Sequence, residues 1–89
     1  MKKNEILINF GKKIKSERLK QGVSQEKLAE LSGLHRTYIG MIERGERNIS
    51  LTNMAVFAKV FEMSVSELLD FTSINPKHSY KKYEIKTED

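Results

Sequence analysis

Residues 24–45 read SQEKLAELSGLHRTYIGMIERG and contain two short amphipathic runs separated only by SGLH. The first run, Gln25–Ser32, lies between Ser24, which is suited to capping a helix start, and Gly33, which is suited to ending one. The second run extends over about residues 36–44. A linker of about three residues is too short for antiparallel packing along both lengths, so we expect the two helices to cross sharply.

Three further helices are predicted around these runs. Residues 5–20 have apolar side chains at steps of three and four, the period of one helix face. Ser50 can cap a helix over residues 51–62, and Ser64 with Glu67 forms a capping box that starts a last helix ending near Phe71. The predicted core uses the inward apolar positions: Ile6, Leu7, Phe10, Ile14, Leu28, Ala29, Leu31, Ile39, Ile42, Met54, Ala55, Phe57, Ala58 and Phe61.

The sequence therefore predicts an all-α, five-helix domain over residues 1–71. Residues 72–89 have Pro76, many charges and no helical period, so they are predicted to form a mostly disordered C-terminal tail. A domain this small buries only a little over ~60% of its unfolded surface, so oligomerisation would help to stabilise it.

Composition limits the classes of function. Sixteen Lys and Arg against 12 Asp and Glu give a net charge of +4, which favours acidic partners such as nucleic acid. The chain has no cysteine, no apolar run long enough to cross a membrane and no signal-peptide pattern. We expect a soluble, cytoplasmic protein that does not bind membranes.

The sequence also lacks the pattern of a catalytic or metal site. There are two histidines, and neither lies with acidic residues at the spacing of metal ligands. Neither a nucleophile elbow nor a glycine loop that cradles phosphate is present. We expect no enzyme activity, no metal and no cofactor.

The first exposed turn of the second run carries Arg36, Thr37 and Tyr38. In a helix-turn-helix, the second helix docks in the major groove of DNA, and its first exposed residues reach base edges. Arginine can donate two hydrogen bonds to guanine O6 and N7, and threonine or tyrosine offers a hydroxyl and apolar surface for a thymine methyl. Because Ile39 and Ile42 supply the buried face, these three residues are predicted base readers. The alternative is that Arg36 and Thr37 are ordinary helix surface while Tyr38 packs on a neighbour.

The segment SQEKLAELSGLHRTYIGMIERGERNISL resembles the DNA-binding domain of Cro-like regulators of the xenobiotic-response-element type, which include the lambdoid phage repressors. More narrowly, RTYIGMIERGERNISL is similar to the controller proteins of restriction-modification systems. The resemblance covers about residues 6–71 and is carried by these positions: Gln25, Leu28, Ala29, Gly33, Ile39, Ile42, Glu43 and Gly45. It implies a phage-repressor-like domain that binds a partly palindromic double-stranded DNA operator as a homodimer. It further implies regulation of a restriction-modification operon and of the protein's own gene, as activator or repressor, with RNA polymerase as a further partner.

The resemblance also assigns roles to single residues. Arg36 and Thr37 match the first base-reading positions of the family, and Arg47 matches a position that clamps the DNA backbone and also reaches a base. Phosphate contacts are implied for four residues: Ser24, Gln25, Arg44 and Asn48. For Gln25, an ordinary polar residue in the first helical turn is the equally weighted alternative.

Further matches and departures concern the architecture. Arg18 and Glu43 match the family's partly buried ion pair between the first helix and the recognition helix. His35 stands where a better capping residue often lies, and Met41 stands where several phage repressors have a polar base reader. Gly40 lies inside the recognition helix, where glycine costs up to ~1 kcal/mol relative to alanine, so we expect a helix or the DNA backbone to approach it closely.

The dimer contact is predicted to use the apolar residues of the last helix, which exceed what one short helix can bury internally: Val65, Leu68, Leu69 and Phe71. A different class of function is a protein-interaction module, such as an antitoxin or adaptor, with only secondary DNA binding. Tyr83 and Ile85 alternate with polar residues and could add a strand to a partner's sheet. A disordered tail is the competing interpretation of the same residues.

Overall fold

Five helices follow one another in the computed structural model, which describes residues 4–76. They are α1 (Glu5–Lys20), α2 (Gln25–Ser32), α3 (Arg36–Glu43), α4 (Leu51–Val60) and α5 (Val65–Leu68). The described residues contain no strand, so the all-α, five-helix prediction is confirmed. Within this range, every helix is too short or too polar to span a membrane.

Short hydroxyl side chains fix where three of the helices begin. The Ser24 hydroxyl accepts the N–H of Lys27, and the Ser50 hydroxyl accepts the N–H of Asn53 in the same way. Ser64 accepts from Glu67 N–H while the Glu67 carboxylate accepts from Ser64 N–H, which confirms the capping box. These bonds satisfy backbone donors that have no partner within the helix.

Helix α4 ends earlier than predicted. It stops at Val60 because Glu62 adopts a left-handed conformation, with φ of 56°. The N–H of Met63 then donates to the carbonyl of Ala58 (2.9 Å), which closes the helix end as a Schellman motif. A glycine usually takes this conformation, so the glutamate gave no sign of it in the sequence.

Helix α5 is a single turn, and the chain continues from it into a second turn. The carbonyl of Phe71 accepts the N–H groups of Ile74 (3.0 Å) and Asn75 (2.8 Å), and the Ile74 side chain packs against the core. Most of the predicted tail, including Tyr83 and Ile85, lies outside the described residues. The domain boundary at residue 71 stays a prediction.

The core lies between all five helices. Its fully buried side chains are Ile14, Leu28, Ile39, Ile42, Phe57, Leu68 and Phe71. The prediction of burial was wrong for Leu31, which is 50% exposed, and for Ala55, which is also exposed. Ala55 lies two residues before Phe57, which places it on the opposite side of α4. Leu31 instead lines an open groove between α2 and α4 together with Val56 and Val60.

The core also contains two of the four residues assigned to the dimer contact. Leu68 and Phe71 have no exposed surface within the single chain, so neither is available to touch a second copy. Leu68 ends the one-turn α5, which packs on α4, and Phe71 lies three residues beyond α5. The prediction had assumed a longer helix that would carry both residues. Val65 and Leu69 keep partly exposed surface.

Helices α1 and α3 cross with their backbones nearly in contact. A Cβ atom at Gly11 would lie 2.3 Å from the Ile42 carbonyl oxygen and 2.6 Å from that of Glu43. Gly45, just beyond α3, has φ of +73° and would place a Cβ 2.9 Å from the Cα of Ile8. Both glycines are therefore needed for α1 to lie directly on α3.

Of the two close neighbours expected at Gly40, a helix or the DNA backbone, the described residues supply no helix. A Cβ at Gly40 would meet only the end of the Arg44 side chain, with the nearest atom, Nη1, at 3.1 Å. Arg44 is exposed and its guanidinium can shift at little cost. Within the chain, the close helix contact is made by Gly11.

Gly11→Ala and Gly40→Ala should therefore change stability in opposite directions. At Gly11, the added methyl meets fixed backbone, and the overpacking should cost ~1–3 kcal/mol. At Gly40, alanine should stabilise the protein by up to ~1 kcal/mol, because it removes the conformational freedom of glycine from a helix interior. Urea unfolding of both variants checks the signs. A Gly11→Ala variant as stable as the Gly40→Ala variant would contradict the close crossing.

Candidate nucleic-acid interface

The turn between α2 and α3 is short and held by its own hydrogen bonds. Gly33 takes the left-handed conformation, with φ of +74°, as the sequence predicts. The Ser32 hydroxyl donates to the carbonyl of Ala29 (3.3 Å) and accepts from the N–H of Leu34 (3.1 Å). Leu34 packs against the core, so the chain enters α3 in a fixed direction.

One side of α3 is buried and the other begins with two exposed polar side chains. Ile39 and Ile42 are 0% and 1% exposed, and they anchor the helix in the core. Arg36 and Thr37 are exposed in its first turn, as predicted. His35 caps the helix without a side-chain hydrogen bond, which agrees with the poor capping expected of histidine. The start of α3 thus presents Arg36 and Thr37 outward from a buried support.

Tyr38 is partly buried, so its side chain has contacts with the core and also some exposed surface. Its ring packs against the core, and its hydroxyl accepts a hydrogen bond from Nδ2 of Asn53 on α4 (3.0 Å). The guanidinium carbon of Arg47 lies over the ring, 5.9 Å from its centroid. Tyr38 therefore packs on its neighbours, as in the alternative that the sequence left open for it, and supports Arg47 by a cation–π contact.

Basic and amide side chains lie around the turn that follows this helix. Arg44, Arg47 and Asn48 are exposed around the turn after α3, and Arg44 Nε is paired with Glu46 (3.1 Å). That hydrogen bond raises the pKa of Arg44 above its ordinary value. Three of the residues predicted to touch DNA are thus gathered in one exposed loop.

The two residues predicted to bind phosphate at the start of α2 have partners within the chain. The Ser24 hydroxyl is engaged in the helix cap, and it stays exposed. Gln25 is half-buried and its Nε2 donates to Glu43 Oε1 (3.1 Å). Gln25 therefore has an architectural contact, and its phosphate contact stays a prediction.

The predicted ion pair between Arg18 and Glu43 is present and forms the centre of a network. Arg18 Nε donates to Glu43 Oε2 (2.7 Å) and Nη2 donates to Oε1 (3.1 Å), while Nη1 donates to the carbonyl of Val23 (2.9 Å). The side chains are only 10% and 4% exposed. The hydrogen bond to Glu43 raises the pKa of Arg18 above its ordinary value. With Gln25, the network joins α1, α2 and α3.

Sequence reasoning missed an ion pair within the candidate interface. Glu26 Oε1 contacts Nε of Arg36 across the sharp crossing of α2 and α3. The pKa of Glu26 lies below its ordinary value, first because its carboxylate accepts from its own backbone N–H and second because of the charge of Arg36. The residues are ten apart in sequence, a spacing that follows no helical period, so only the crossing geometry reveals the pair.

These observations together define a helix-turn-helix: a fixed turn, a buried support and an exposed polar start of the second helix. Residues 14–68 match the helix-turn-helix family. The chain belongs to this family, which is one of DNA-binding transcription regulators.

The similar proteins include controllers of restriction-modification systems. The control protein C.BamHI of Bacillus amyloliquefaciens is 50% identical over 72 residues, which cover 80% of this chain and 89% of that protein. The crystal structure of the restriction-modification controller C.AhdI from Aeromonas hydrophila is 45% identical with a TM-score of 0.67, covering 70% of this chain and 94% of that one. The controller C.Esp1396I, a tetramer in complex with its natural 35 base-pair operator, is 39% identical with a TM-score of 0.65, covering 72% and 88%.

Arg18→Met should destabilise the domain by ~3 kcal/mol, because it leaves the buried Glu43 carboxylate with only the Gln25 amide. Urea unfolding measures the loss. The double variant Arg18→Met, Glu43→Leu should recover part of it, since it removes the unpaired charge as well. Equal destabilisation by Lys12→Met, an exposed position on the same helix, would contradict the role of the pair.

Proposed function

We propose that this chain is a transcription regulator that binds a partly palindromic double-stranded DNA operator as a homodimer, with α3 as the recognition helix. The observation that carries the proposal is the start of α3, where Arg36 and Thr37 are exposed while Ile39 and Ile42 bury the opposite side. A rigidly supported helix that presents polar side chains at its first turn fits the major groove.

Base recognition is assigned to four residues on and after α3. Arg36 donates two hydrogen bonds to O6 and N7 of a guanine, and Thr37 contacts a thymine by its methyl group and hydroxyl. Tyr38 is assigned a contact through the part of its side chain that stays exposed, and it also holds Arg47 by the cation–π contact. Arg47, exposed beside this ring, reaches either a base or the adjacent phosphate.

Phosphate contacts flank the recognition helix in this proposal. Arg44 and Asn48 lie in the exposed loop after α3, and Ser24 and Gln25 lie at the start of α2, where backbone N–H groups point outward. Such contacts fix the register of a protein on the duplex without reading the sequence. They also make affinity fall with salt, because neutralised phosphates release counterions.

The dimer contact is assigned to the exposed parts of Val65 and Leu69, supported from below by the buried Leu68. Two recognition helices in such a dimer would lie ~34 Å apart, one turn of B-DNA, so that each enters one half-site. A dimer would also supply buried surface that a domain of this size lacks.

Control of a restriction-modification operon and of the protein's own gene is the finer part of the proposal. It is supported by the controllers among the similar proteins, of which C.Esp1396I is described as a tetramer on its operator. A regulator of this kind acts where it meets DNA in the cytoplasm, and RNA polymerase is the further partner that activation requires. We propose no catalytic activity.

Selection from a random duplex pool with the full-length protein tests this function. We expect a palindromic motif with half-sites about one helical turn apart, bound far more tightly than random duplexes. With six to ten phosphate contacts, affinity should fall roughly 10³- to 10⁵-fold between 50 and 200 mM salt. Weak, salt-sensitive binding without an enriched motif would contradict operator recognition and would favour a protein partner.

Leu69→Glu should convert the dimer into monomers, because it places a charge in an apolar contact. Sedimentation equilibrium measures the mass, and circular dichroism shows whether the variant keeps its helices. Leu69 also packs against the core, so Val65→Lys provides a second test of the same face. An unchanged dimer in a folded variant would contradict the assignment.

A further inference from the structure

The pair between Glu26 and Arg36 joins the recognition helix to α2 on the exposed side of the domain. The Glu26 and Arg36 side chains are 65% and 59% exposed, so both are accessible to a ligand. The contact is made by Nε of Arg36. We propose that Glu26 is a positioning residue for base recognition, which orients the Arg36 guanidinium toward guanine. This inference rests on the proposed function.

The chemistry of the guanidinium explains why contact through Nε matters. The group is planar, with Nε on its side edge and two terminal amino groups on its far edge. Recognition of guanine uses a bidentate fork, for which two parallel N–H groups must face O6 and N7. A carboxylate held at Nε engages the side edge and restricts the plane of the group, which leaves the two terminal amino groups of the far edge for guanine.

Glu26 is itself held in place at the start of α2. Its carboxylate accepts from its own backbone N–H, with the Ser24 side chain as an additional partner. An anchored carboxylate removes rotamer freedom from Arg36 before binding, and ordering a flexible side chain at an interface is one of the costs of association. The pair thus holds the Arg36 guanidinium in one orientation before DNA binds.

A role in folding does not account for the pair. Ion pairs between exposed side chains contribute little to stability. Affinity for DNA in general does not account for it either, because a carboxylate beside the DNA backbone repels phosphate. The pair is therefore assigned to discrimination between the operator and other DNA. On the operator, Arg36 binds guanine and keeps its contact with Glu26. On other DNA, Arg36 must reorient to contact a phosphate.

The test compares Glu26→Ala and Glu26→Gln with Glu30→Ala, which removes another exposed α2 carboxylate, the one paired with Lys27. Three DNA duplexes serve as probes at one salt concentration. The first is the selected operator, and the third is a random duplex. The second is the operator with one guanine changed to adenine, at the position where Arg36→Ala loses its preference for guanine. Urea unfolding of each variant confirms that stability is unchanged.

We expect Glu26→Ala to reduce the preference for guanine over adenine by about tenfold, within the range that a bidentate arginine contact provides. Glu26→Gln should fall between wild type and Glu26→Ala, because a neutral amide oxygen is a weaker acceptor than a carboxylate. Affinity for the random duplex should be unchanged or higher. Glu30→Ala should match wild type, and Glu26→Ala should add nothing to Arg36→Ala.

Two results would overturn the inference. One is a Glu26→Ala variant that keeps the guanine preference of Glu30→Ala, and the other is a loss of affinity by the same factor on every duplex. If Arg36→Ala leaves every base preference unchanged, Arg36 does not read a base and the inference also fails. None of these results affects the operator selected by the wild-type protein, so the proposed function is judged separately.

Discussion

The carboxylate of Glu43 is the point on which the positions of three helices depend. It accepts hydrogen bonds from Arg18 on α1 and Gln25 on α2, while Glu43 itself is the last residue of α3. The backbone contact at Gly11 brings α1 close enough for this network to form. Because the side chains of Arg18 and Glu43 are almost fully buried, a shift of either helix would leave a charge without its partner. The angle at which the recognition helix leaves the core is therefore determined from within the domain.

Much of the fold could be predicted because the sequence signals are local. Serines at helix starts, glycines at helix ends and the three-and-four apolar spacing each act within a few residues, and they gave all five helices. Helix ends were predicted less well where a residue adopts a backbone conformation that is rare for its type. Glu62, in the left-handed conformation, is the example. The burial of Leu68 and Phe71 also escaped prediction, since a single-turn helix has no reliable period.

The candidate site likewise contains residues that the sequence predicted and contacts that it did not. The exposure of Arg36 and Thr37 followed from the buried positions of α3, and the Arg18–Glu43 pair followed from a family resemblance. The partners that orient the site could not be predicted from spacing, because they come from other helices. Asn53 reaches Tyr38 from α4, and Glu26 reaches Arg36 from α2. Such contacts depend on crossing angles, which a one-dimensional pattern does not contain.

The start of α3 differs from the starts of α2, α4 and α5 in having no side-chain cap, since His35 makes no such bond. A serine or aspartate cap typically contributes ~1 kcal/mol, and α3 forms without that contribution. A helix of eight residues is too short to be stable alone, so α3 is held by the burial of Ile39 and Ile42 and by the hydrogen bonds of Glu43. This helix therefore exists only as part of the folded domain, and whatever loosens the core loosens the helix that the site is built on.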